Sequence, residues 1–386
     1  MSAAIRDVDV FTYELTYAHG RYVMSRGRVI DRLKSTVVRI RTDDGVEGFG
    51  EVCPLGSTYL PAHSGGALAA LTELAPAVLG VDATNLAAIR TALDGALMGH
   101  EYARSPLDVA CWDALGRTVG LPVCELLGGR TADELPLYFA VPLGSGESMA
   151  EYVLARRAEG VRRFQLKLGA DPLEDAARTA LVIEQTDDGD LVVADANGGW
   201  RLQDAVLAAR ALEDLPRVFL EQPCPTLEEC LVVRQRTTLP MVLDESIRDV
   251  QSLLRAYGAR AMEAVNLKLS RVGGLTPAKM MRDLAQTLGV RLTIEDSWGG
   301  DIVTAAVAHL AASTDPEALF SVSFMNDWTV EKIAAHRPRS DNGIGRAPDG
   351  PGLGIDVDVE RLGRPVLGYS TTQAGPSGSA RGLGRR

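Results

Sequence analysis

The sequence predicts an α/β barrel of eight parallel strands that follows a smaller α+β domain. From about residue 135 onwards, short apolar runs alternate with segments of helical periodicity, and eight such runs can be counted. Five runs end in an ionisable residue, in the order Lys167, Asp195, Glu221, Asp244 and Lys268, with gaps of 28, 26, 23 and 24 residues. One strand, one helix and two loops take about 25–30 residues in a βα barrel, so each repeat carries one charge at the end of its strand.

The first 125 residues predict a strand meander followed by helices. Residues 7–17 and 35–42 alternate apolar and polar side chains like half-buried strands, and the Asp-Asp-Gly sequence at 43–45 is typical of a hairpin turn. Helical periodicity covers residues 66–79, 85–97 and 105–119. The Leu-Leu-Gly-Gly-Arg sequence at 126–130 ends a helix. We therefore expect an α+β domain over residues 1–125.

The second domain, expected over residues 126–354, consists of the alternating repeats. Its strands are predicted at 135–141, 164–168, 191–195, 217–221, 241–245, 264–269, 290–295 and 318–324. Its helices are predicted at 172–186, 201–214, 226–236, 249–257, 276–289 and 301–313. Eight units favour a closed barrel over an open doubly wound sheet, and the sequence has no glycine-rich nucleotide-binding motif to support the open sheet. Residues 355–370 are expected to return to the first domain, and the small polar tail 371–386 to be disordered.

Composition and charge exclude several classes of function. The chain has 40 basic and 51 acidic residues, a net charge of −11, which argues against nucleic acid as a partner. Its apolar runs are too short to cross a membrane, and its start lacks a signal segment, so we expect a cytoplasmic protein. Five irregularly spaced cysteines and five scattered histidines predict reduced thiols and no structural zinc site.

Side-chain alternation within the strands places the polar residues inside the barrel. Gln165 and Lys167 share one face of their strand, and Asn266, Lys268 and Ser270 share one face of theirs. The apolar residues between them would pack against the outer helices. Buried ammonium and carboxylate groups are unfavourable without partners, so we expect them to meet at one end of the barrel and to neutralise each other around a cation.

Three of these groups are carboxylates, those of Asp195, Glu221 and Asp244, and the pattern includes no cysteine or histidine. A single acid of this kind is more often a salt-bridged surface residue, but three at consecutive strand ends favour a metal site. Oxygen ligands select hard cations, and Mg²⁺ binds a few carboxylates while keeping positions open for water and substrate. The sequence therefore predicts a Mg²⁺ site, in which Mn²⁺ is the expected substitute.

Two lysines flank these acids, Lys167 on the second predicted strand and Lys268 on the sixth. A free lysine has a pKa of about 10.4 and is a poor base at neutral pH. We expect burial and nearby positive charge to lower this pKa, so that a lysine can remove a proton from a carbon next to a carboxylate. Strands two and six lie on opposite sides of an eight-stranded barrel, so the two amines would address opposite faces of one carbon.

These residues, in this order and spacing, resemble the mandelate racemase/muconate lactonizing enzyme branch of the enolase superfamily over nearly the whole chain. The resemblance implies a modified (β/α)7β TIM-like barrel with an N-terminal α+β capping domain. It implies that Asp195, Glu221 and Asp244 bind the metal. It also implies that Lys167 and Lys268 are the catalytic acid and base residues.

Neighbouring positions receive supporting roles from the same resemblance. Many members of the branch have Lys-x-Lys on the second strand, whereas this chain has Gln165 in place of the first lysine. Asn197 lies two residues after the first predicted ligand, at a position that is often polar and close to the metal. Glu245 follows the third predicted ligand, and we expect it to support Lys268 by a hydrogen bond.

Three segments resemble enzymes of this branch that act on proline derivatives. The loop 53–63 resembles both hydroxyproline betaine 2-epimerases and cis-3-hydroxyproline dehydratases, the segment 294–302 resembles the epimerases, and 105–116 resembles the dehydratases. The candidate substrate-binding residues are Tyr59, Asn197, Asp296, Trp298 and Phe324. Among them, Asp296 would pair with a substrate ammonium group, and Trp298 would contact a cationic nitrogen through its ring.

The expected function is that of a Mg²⁺-dependent racemase or epimerase, which removes the α-proton of a small amino carboxylate. Proline betaine and 4-hydroxyproline betaine are the expected substrates. The alternative is a dehydratase of cis-3-hydroxy-L-proline, or of another hydroxy acid, that starts with the same proton removal. The expected partner is a small carboxylate molecule, and by analogy with the family we expect a homo-oligomer.

Overall fold

The first domain is an antiparallel sheet that packs against three helices. The computed structural model describes residues 3–373. The long strands of the first domain are β1 (Ile5–Thr16), β2 (Arg32–Thr42) and β3 (Glu47–Val52). Its helices are α1 (Ser64–Ala77), α2 (Leu86–Ala96) and α3 (Glu101–Val119). One face of β1, including Val8 and Val10, packs on these helices, whereas Phe11 and Leu15 on the other face join the core shared with the second domain.

The second domain is a barrel of eight parallel strands with helices outside. The strands are β4 (Tyr138–Val141), β5 (Arg163–Lys167), β6 (Leu191–Asp195), β7 (Val218–Glu221), β8 (Met241–Leu243), β9 (Ala264–Lys268), β10 (Arg291–Glu295) and β11 (Leu319–Val322). They lie side by side in chain order, and a parallel bridge between Leu137 and Val322 joins the last strand to the first. The predicted fold class is therefore confirmed.

Seven long helices connect the strands of this barrel. They are α4 (Gly146–Ala158), α5 (Pro172–Ile183), α6 (Leu202–Leu212), α7 (Leu227–Arg234), α8 (Val250–Gly258), α9 (Leu275–Thr287) and α10 (Asp301–Ala312). The sequence patterns did not predict α4, because few of its side chains are buried and its apolar periodicity is weak. It begins after Ser145, whose side chain accepts a hydrogen bond from the backbone N–H of Ser148.

The C-terminal ends of the barrel strands align at one rim. In the strand register, Lys167 lies opposite Asp195, and Asp195 lies opposite Glu221. On the far side of the barrel, Lys268 lies opposite Glu295. Because neighbouring parallel strands end at the same height, residues more than 100 positions apart in the chain come together at this rim.

Buried carboxylates join the two domains at what we call the domain seam, formed by Glu51, Asp108 and their partners. Glu51 on β3 accepts hydrogen bonds from the hydroxyl groups of Tyr13 and Ser35, both at 2.6 Å. It also accepts bonds from the backbone N–H groups of Gly300 and Val303, both at 3.1 Å, where α10 begins. Burial nevertheless raises the pKa of Glu51, although these bonds oppose the change.

A second contact of the domain seam joins α3 to the start of α9. Asp108 accepts a hydrogen bond from the backbone N–H of Thr276 at 2.9 Å, and Trp112 Nε1 donates to the hydroxyl of Thr276 at 2.9 Å. Burial raises the pKa of Asp108 to about 6. The seam thus holds carboxylates from the first domain against helix starts of the second.

The chain returns to the first domain in a final strand, β12 (Leu367–Ser370), which pairs antiparallel with β1. A short 3-10 turn follows at Thr371–Gln373. The rest of the tail for which disorder is expected, residues 374–386, lies outside the described residues. Among residues 3–373, no helix combines the length and apolar character needed to span a bilayer.

Candidate active site

Three buried carboxylates lie at the rim where the sequence predicts metal ligands. Asp195 and Glu221 are the last residues of β6 and β7, and Asp244 follows the end of β8. Their exposed fractions are 0%, 1% and 1%, so water does not compensate their charge. Each therefore needs a partner within the protein or a bound cation.

Each carboxylate is turned towards a nearby cation or amide. Asp195 accepts a hydrogen bond from Lys167 Nζ at 2.5 Å, and Asp244 accepts one from Lys268 Nζ at 2.7 Å. Glu221 instead accepts bonds from the Gln165 side-chain amide, which lies 3.0 Å from both carboxylate oxygens. Two of the three carboxylates are thus neutralised by ammonium groups, whereas the third is held by a neutral donor.

Further groups complete these contacts. Asn266 Nδ2 donates to Glu221 at 2.8 Å. Asp244 also accepts bonds from Arg271 Nη1 at 2.5 Å and from the Tyr59 hydroxyl at 2.9 Å. Asp244 therefore has the most partners of the three predicted ligands.

The side chains do not form a metal shell in this arrangement, although the donors are of the right kind. Among residues 3–373, no three carboxylate, histidine or cysteine side chains are placed so that they could share an ion. The donors on these three adjacent strands are nevertheless all oxygen atoms. In the same described region, Asn197 Oδ1 and Glu245 Oε2 are buried oxygens that make no hydrogen bond. An oxygen-only set fits a hard divalent cation.

The two predicted catalytic lysines lie on the second and sixth strands, on opposite sides of the barrel. Both are buried, with exposed fractions of 5% for Lys167 and 6% for Lys268. Burial lowers the pKa of each lysine, but attraction to Asp195 and to Asp244 outweighs it, and both pKa values lie above the ordinary value. The expected lowering of the lysine pKa values is therefore wrong for this arrangement, because each ammonium is paired with a buried carboxylate.

The carboxylates respond in different directions to the same surroundings. Burial, and then repulsion from Asp195 and Asp244, raise the pKa of Glu221 well above its ordinary value. Burial would also raise the pKa of Asp244, but Lys268 and Arg271 outweigh it and hold that pKa below its ordinary value. Asp244, which lies beside an ammonium and a guanidinium group, therefore loses its proton more readily than Glu221, which is held by neutral amides.

A cavity of about 20 Å³ lies between the two lysines, with room for about one water molecule. Lys167, Lys268 and Gln165 line it from the barrel. Residues of two loops of the first domain, among them Tyr22 and Tyr59, cover it. A cavity of this size is too small for a ring-sized substrate.

Of the predicted substrate-binding residues, Tyr59, Asp296 and Trp298 line this cavity. The Tyr59 hydroxyl accepts a hydrogen bond from Lys268 Nζ at 2.8 Å. The Asp296 carboxylate accepts bonds from the backbone N–H and the hydroxyl of Ser270 and from the backbone N–H of Ser297. Because a carboxylate can accept further bonds, the pairing of Asp296 with a substrate ammonium stays a prediction.

Two further predictions require correction, those for Phe324 and for Glu245. Phe324 does not line the cavity, and Trp328 lines it instead. The Phe324 ring packs so closely against Gly345 that a β-carbon at residue 345 would lie 2.5 Å from it. Asn197 Nδ2 donates to Glu245 at 3.1 Å. Glu245 thus holds an amide, and the hydrogen bond expected between Glu245 and Lys268 is replaced by this contact. Burial and repulsion from Asp244 raise the pKa of Glu245 to about 7.

Several residues of the site were not identified from the sequence. Glu295 lies 3.4 Å from Lys268 and accepts a hydrogen bond from the Tyr138 hydroxyl, and both residues line the cavity. Alternation along β10 could have identified Glu295, because it is the last residue of the strand and lies opposite Lys268. Arg271 follows Lys268 by three residues, about one helical turn, but no sequence pattern indicates that it reaches Asp244.

Comparisons with known proteins agree with both domains. The model of the "Mandelate racemase / muconate lactonizing enzyme, N-terminal domain" matches residues 7–128, and the model described as "Enolase C-terminal domain-like" matches residues 148–362. A cis-3-hydroxy-L-proline dehydratase of Roseibium aggregatum is 45% identical over 95% of this chain and 100% of its own length. An N-succinyl-L-Arg/Lys racemase of Bacillus cereus is 27% identical over 88% of this chain and 92% of its own.

Solved structures show the same architecture. A mandelate racemase/muconate lactonizing enzyme from Roseovarius nubinhibens ISM, 37% identical, superposes with a TM-score of 0.92 over 95% of this chain and 98% of its own. A second structure from that organism, complexed with magnesium, is 35% identical and also has a TM-score of 0.92, over 95% of this chain and 100% of its own. Both domains and the full-length similarity lead to one conclusion: the chain belongs to the mandelate racemase/muconate lactonizing enzyme family of the enolase superfamily.

Proposed function

We propose that the protein is a metal-dependent dehydratase that removes water from cis-3-hydroxy-L-proline or a closely similar cyclic 3-hydroxy amino acid. The observation that carries this proposal is the pair of buried lysines, Lys167 and Lys268, which face one small cavity from opposite sides. The 45% identity to the Roseibium aggregatum dehydratase supports this choice of substrate. The sequence alone favours epimerisation, and this similarity favours the alternative instead.

The geometry of the substrate explains the need for two lysines. In cis-3-hydroxy-L-proline the hydroxyl and the carboxylate lie on one face of the ring, so the α-hydrogen and the hydroxyl lie on opposite faces. One lysine, as the neutral amine, removes the α-proton and leaves an electron pair at C2; in the following step this pair forms the C2–C3 double bond as the C3–O bond breaks. The opposite lysine protonates the departing hydroxyl to give water. The enamine product isomerises to a cyclic imine, and proton exchange with water restores both amines.

The residues that would hold Mg²⁺ are Asp195, Glu221 and Asp244. When bound, the ion would supply positive charge next to the substrate carboxylate while the α-carbon loses its proton. Asp195 and Asp244 also accept hydrogen bonds from the two lysines, so the predicted ligands lie next to the acid–base groups.

Epimerisation of an N-substituted amino acid, such as proline betaine or 4-hydroxyproline betaine, is the second candidate. The same two lysines would reach both faces of an α-carbon. The observation in its favour is an aromatic wall, in which Trp298 lies edge-on to Tyr22 and Trp328 with ring centroids 5.3 and 5.7 Å apart. Such a wall can bind a cationic nitrogen. The similarity to an N-succinyl-L-Arg/Lys racemase also supports this candidate.

The two candidates are separated by proton NMR in D₂O with Mg²⁺ and three compounds, namely cis-3-hydroxy-L-proline, trans-3-hydroxy-L-proline and L-proline betaine. We expect the cis compound alone to be converted to the cyclic imine. In the trans compound, the α-hydrogen and the hydroxyl lie on the same face of the ring. Two lysines on opposite sides of the cavity cannot act on both groups together. Inversion of L-proline betaine, with the cis compound unchanged, would instead establish the epimerase.

A further inference from the structure

The two lysines differ in how many groups hold them. Among residues 3–373, the carboxylate that pairs with Lys167 is that of Asp195, at 2.5 Å. Lys268 lies between two carboxylates, Asp244 at 2.7 Å and Glu295 at 3.4 Å, and it also donates to the Tyr59 hydroxyl. Lys268 therefore has a second carboxylate partner, which Lys167 lacks among the described residues.

Glu295 is itself held firmly in place. It is 1% exposed, and one of its oxygens accepts a hydrogen bond from the Tyr138 hydroxyl. The Tyr138 ring packs edge-on against Trp328, with ring centroids 5.8 Å apart. Within the described part of the chain, the other oxygen, Oε1, makes no hydrogen bond, and its ion-pair partner is Lys268. Tyr138 thus aims this free oxygen at the ammonium group.

Asp244 is not available to Lys268 alone. It is shared by Lys268, Arg271 and Tyr59, and it is one of the residues that would bind the metal. Glu295 has no such competing role, and it comes from the strand next to Lys268 in register. A carboxylate outside the ligand set can keep the amine in place whatever Asp244 binds.

We propose that Tyr138 and Glu295 are a positioning pair for Lys268: the phenol fixes one oxygen of Glu295, and the other oxygen holds the ammonium group at the cavity. This inference rests on the dehydratase proposed above, because it assigns a role in that site. The pair acts on one lysine only. Its loss should therefore impair the half of the reaction that Lys268 performs and leave the half performed by Lys167.

The test compares Glu295→Gln and Tyr138→Phe with Lys268→Ala and Lys167→Ala. Each variant is incubated in D₂O with Mg²⁺ and cis-3-hydroxy-L-proline, and two rates are measured: exchange of the α-hydrogen in unreacted substrate, and formation of the imine. A misplaced acid–base group costs about 10- to 100-fold in rate. We expect Glu295→Gln and, less strongly, Tyr138→Phe to shift the ratio of the two rates in the direction seen for Lys268→Ala.

The chain offers a matched control in the domain seam. Tyr13 donates to Glu51 as Tyr138 donates to Glu295, but neither Tyr13 nor Glu51 lines the cavity between the lysines. Tyr13→Phe should leave the ratio of exchange to imine formation at the wild-type value, even if the protein becomes less stable. A wild-type ratio in Glu295→Gln, or a shift like that of Lys167→Ala, would overturn the proposal while leaving the dehydratase intact.

A crystal structure of Glu295→Gln provides a measurement that does not depend on activity. We expect Lys268 Nζ to leave its position near residue 295 and to turn towards Asp244 alone. An unmoved Lys268 would overturn the positioning role. If the wild-type protein leaves cis-3-hydroxy-L-proline unchanged, the dehydratase proposal fails, and this structure still decides whether Glu295 positions the lysine.

Discussion

The domain seam and the rim both contain buried carboxylates, and the groups that hold them differ. In the domain seam, Glu51 and Asp108 accept hydrogen bonds from backbone N–H groups and neutral hydroxyls. At the rim, Asp195 and Asp244 instead pair with the ammonium groups of Lys167 and Lys268. The first arrangement joins two domains, whereas the second brings together groups that can exchange protons.

The comparison shows that burial of an acid does not by itself indicate a role in catalysis. Backbone donors are fixed by the secondary structure, so a carboxylate that they satisfy becomes part of the scaffold. Side-chain amines can give up a proton or change partners, so a carboxylate that they satisfy can serve a reaction. For Asp195 and Asp244, the charged donor therefore distinguishes them from Glu51 and Asp108 of the domain seam better than the extent of burial does.

We expect the largest effect on activity from Lys167→Ala and Lys268→Ala, which remove the ammonium groups at the rim. Each should reduce imine formation from cis-3-hydroxy-L-proline by about 10²- to 10⁴-fold, because one acid or base is lost. The variant that keeps the proton-abstracting lysine should still exchange the α-hydrogen in D₂O, and the other should not. Full dehydration by either variant would contradict a two-lysine reaction.

In the domain seam, Glu51→Gln should lower the free energy of unfolding by about 3 kcal/mol, because an amide cannot satisfy every donor that now faces the carboxylate. Urea denaturation measures this change. The half-buried Glu47 on the same strand provides the control, since its ion pair with Arg39 is partly exposed to solvent and Glu47→Gln should cost less than about 1 kcal/mol. Equal effects of the two substitutions would remove the distinction between seam and surface.

A smaller effect is expected from the pH dependence of the seam. The pKa of Asp108 is raised from 3.8 to about 6, so the folded protein holds this proton more tightly than the unfolded chain. The contribution of Asp108 to stability is therefore greatest at low pH and is lost as the pH rises through the pKa of the folded state. Relative to Asp108→Asn, the wild-type free energy of unfolding should fall by about 2 kcal/mol between pH 4 and pH 6. A difference that is constant with pH would refute this expectation.

The smallest effect concerns the carboxylate at the rim that an amide holds. Gln165→Met removes the donor that orients Glu221, and affinity for Mg²⁺ should fall by about 10-fold, as is typical for residues behind metal ligands. Titration calorimetry measures the affinity directly. Gln286→Met is the matched control, because Gln286 accepts a bond from the backbone of Asp315 outside the barrel. Unchanged affinity in Gln165→Met would show that Glu221 needs no such support.

The barrel, the order of its strands and the five charged residues at its rim could be predicted because they depend on short periodic patterns. A strand of four or five residues shows its buried and polar faces directly in the sequence. The final residue of each strand is then defined to within one position. That precision is sufficient to identify the rim residues Lys167, Asp195, Glu221 and Lys268.

At the end of β10, the sequence analysis named Asp296 but missed Glu295, the last residue of the strand, although both residues line the cavity. The raised pKa values of the lysines also could not be predicted, because they depend on side-chain distances to Asp195 and Asp244. Contacts between loops and the rim, such as that of Tyr59 with Lys268, depend on how the two domains pack.

The pairing of β12 with β1 has a consequence for biosynthesis. Residues 7–10 of β1 pair with residues 367–370, so one edge of the first sheet is completed by a segment translated more than 300 residues later. While the barrel is still emerging from the ribosome, that edge presents unpaired backbone groups, which invite association between nascent chains. Translation that stopped before residue 367 would leave this edge permanently open, and the product should be prone to aggregation although every residue of the rim is present.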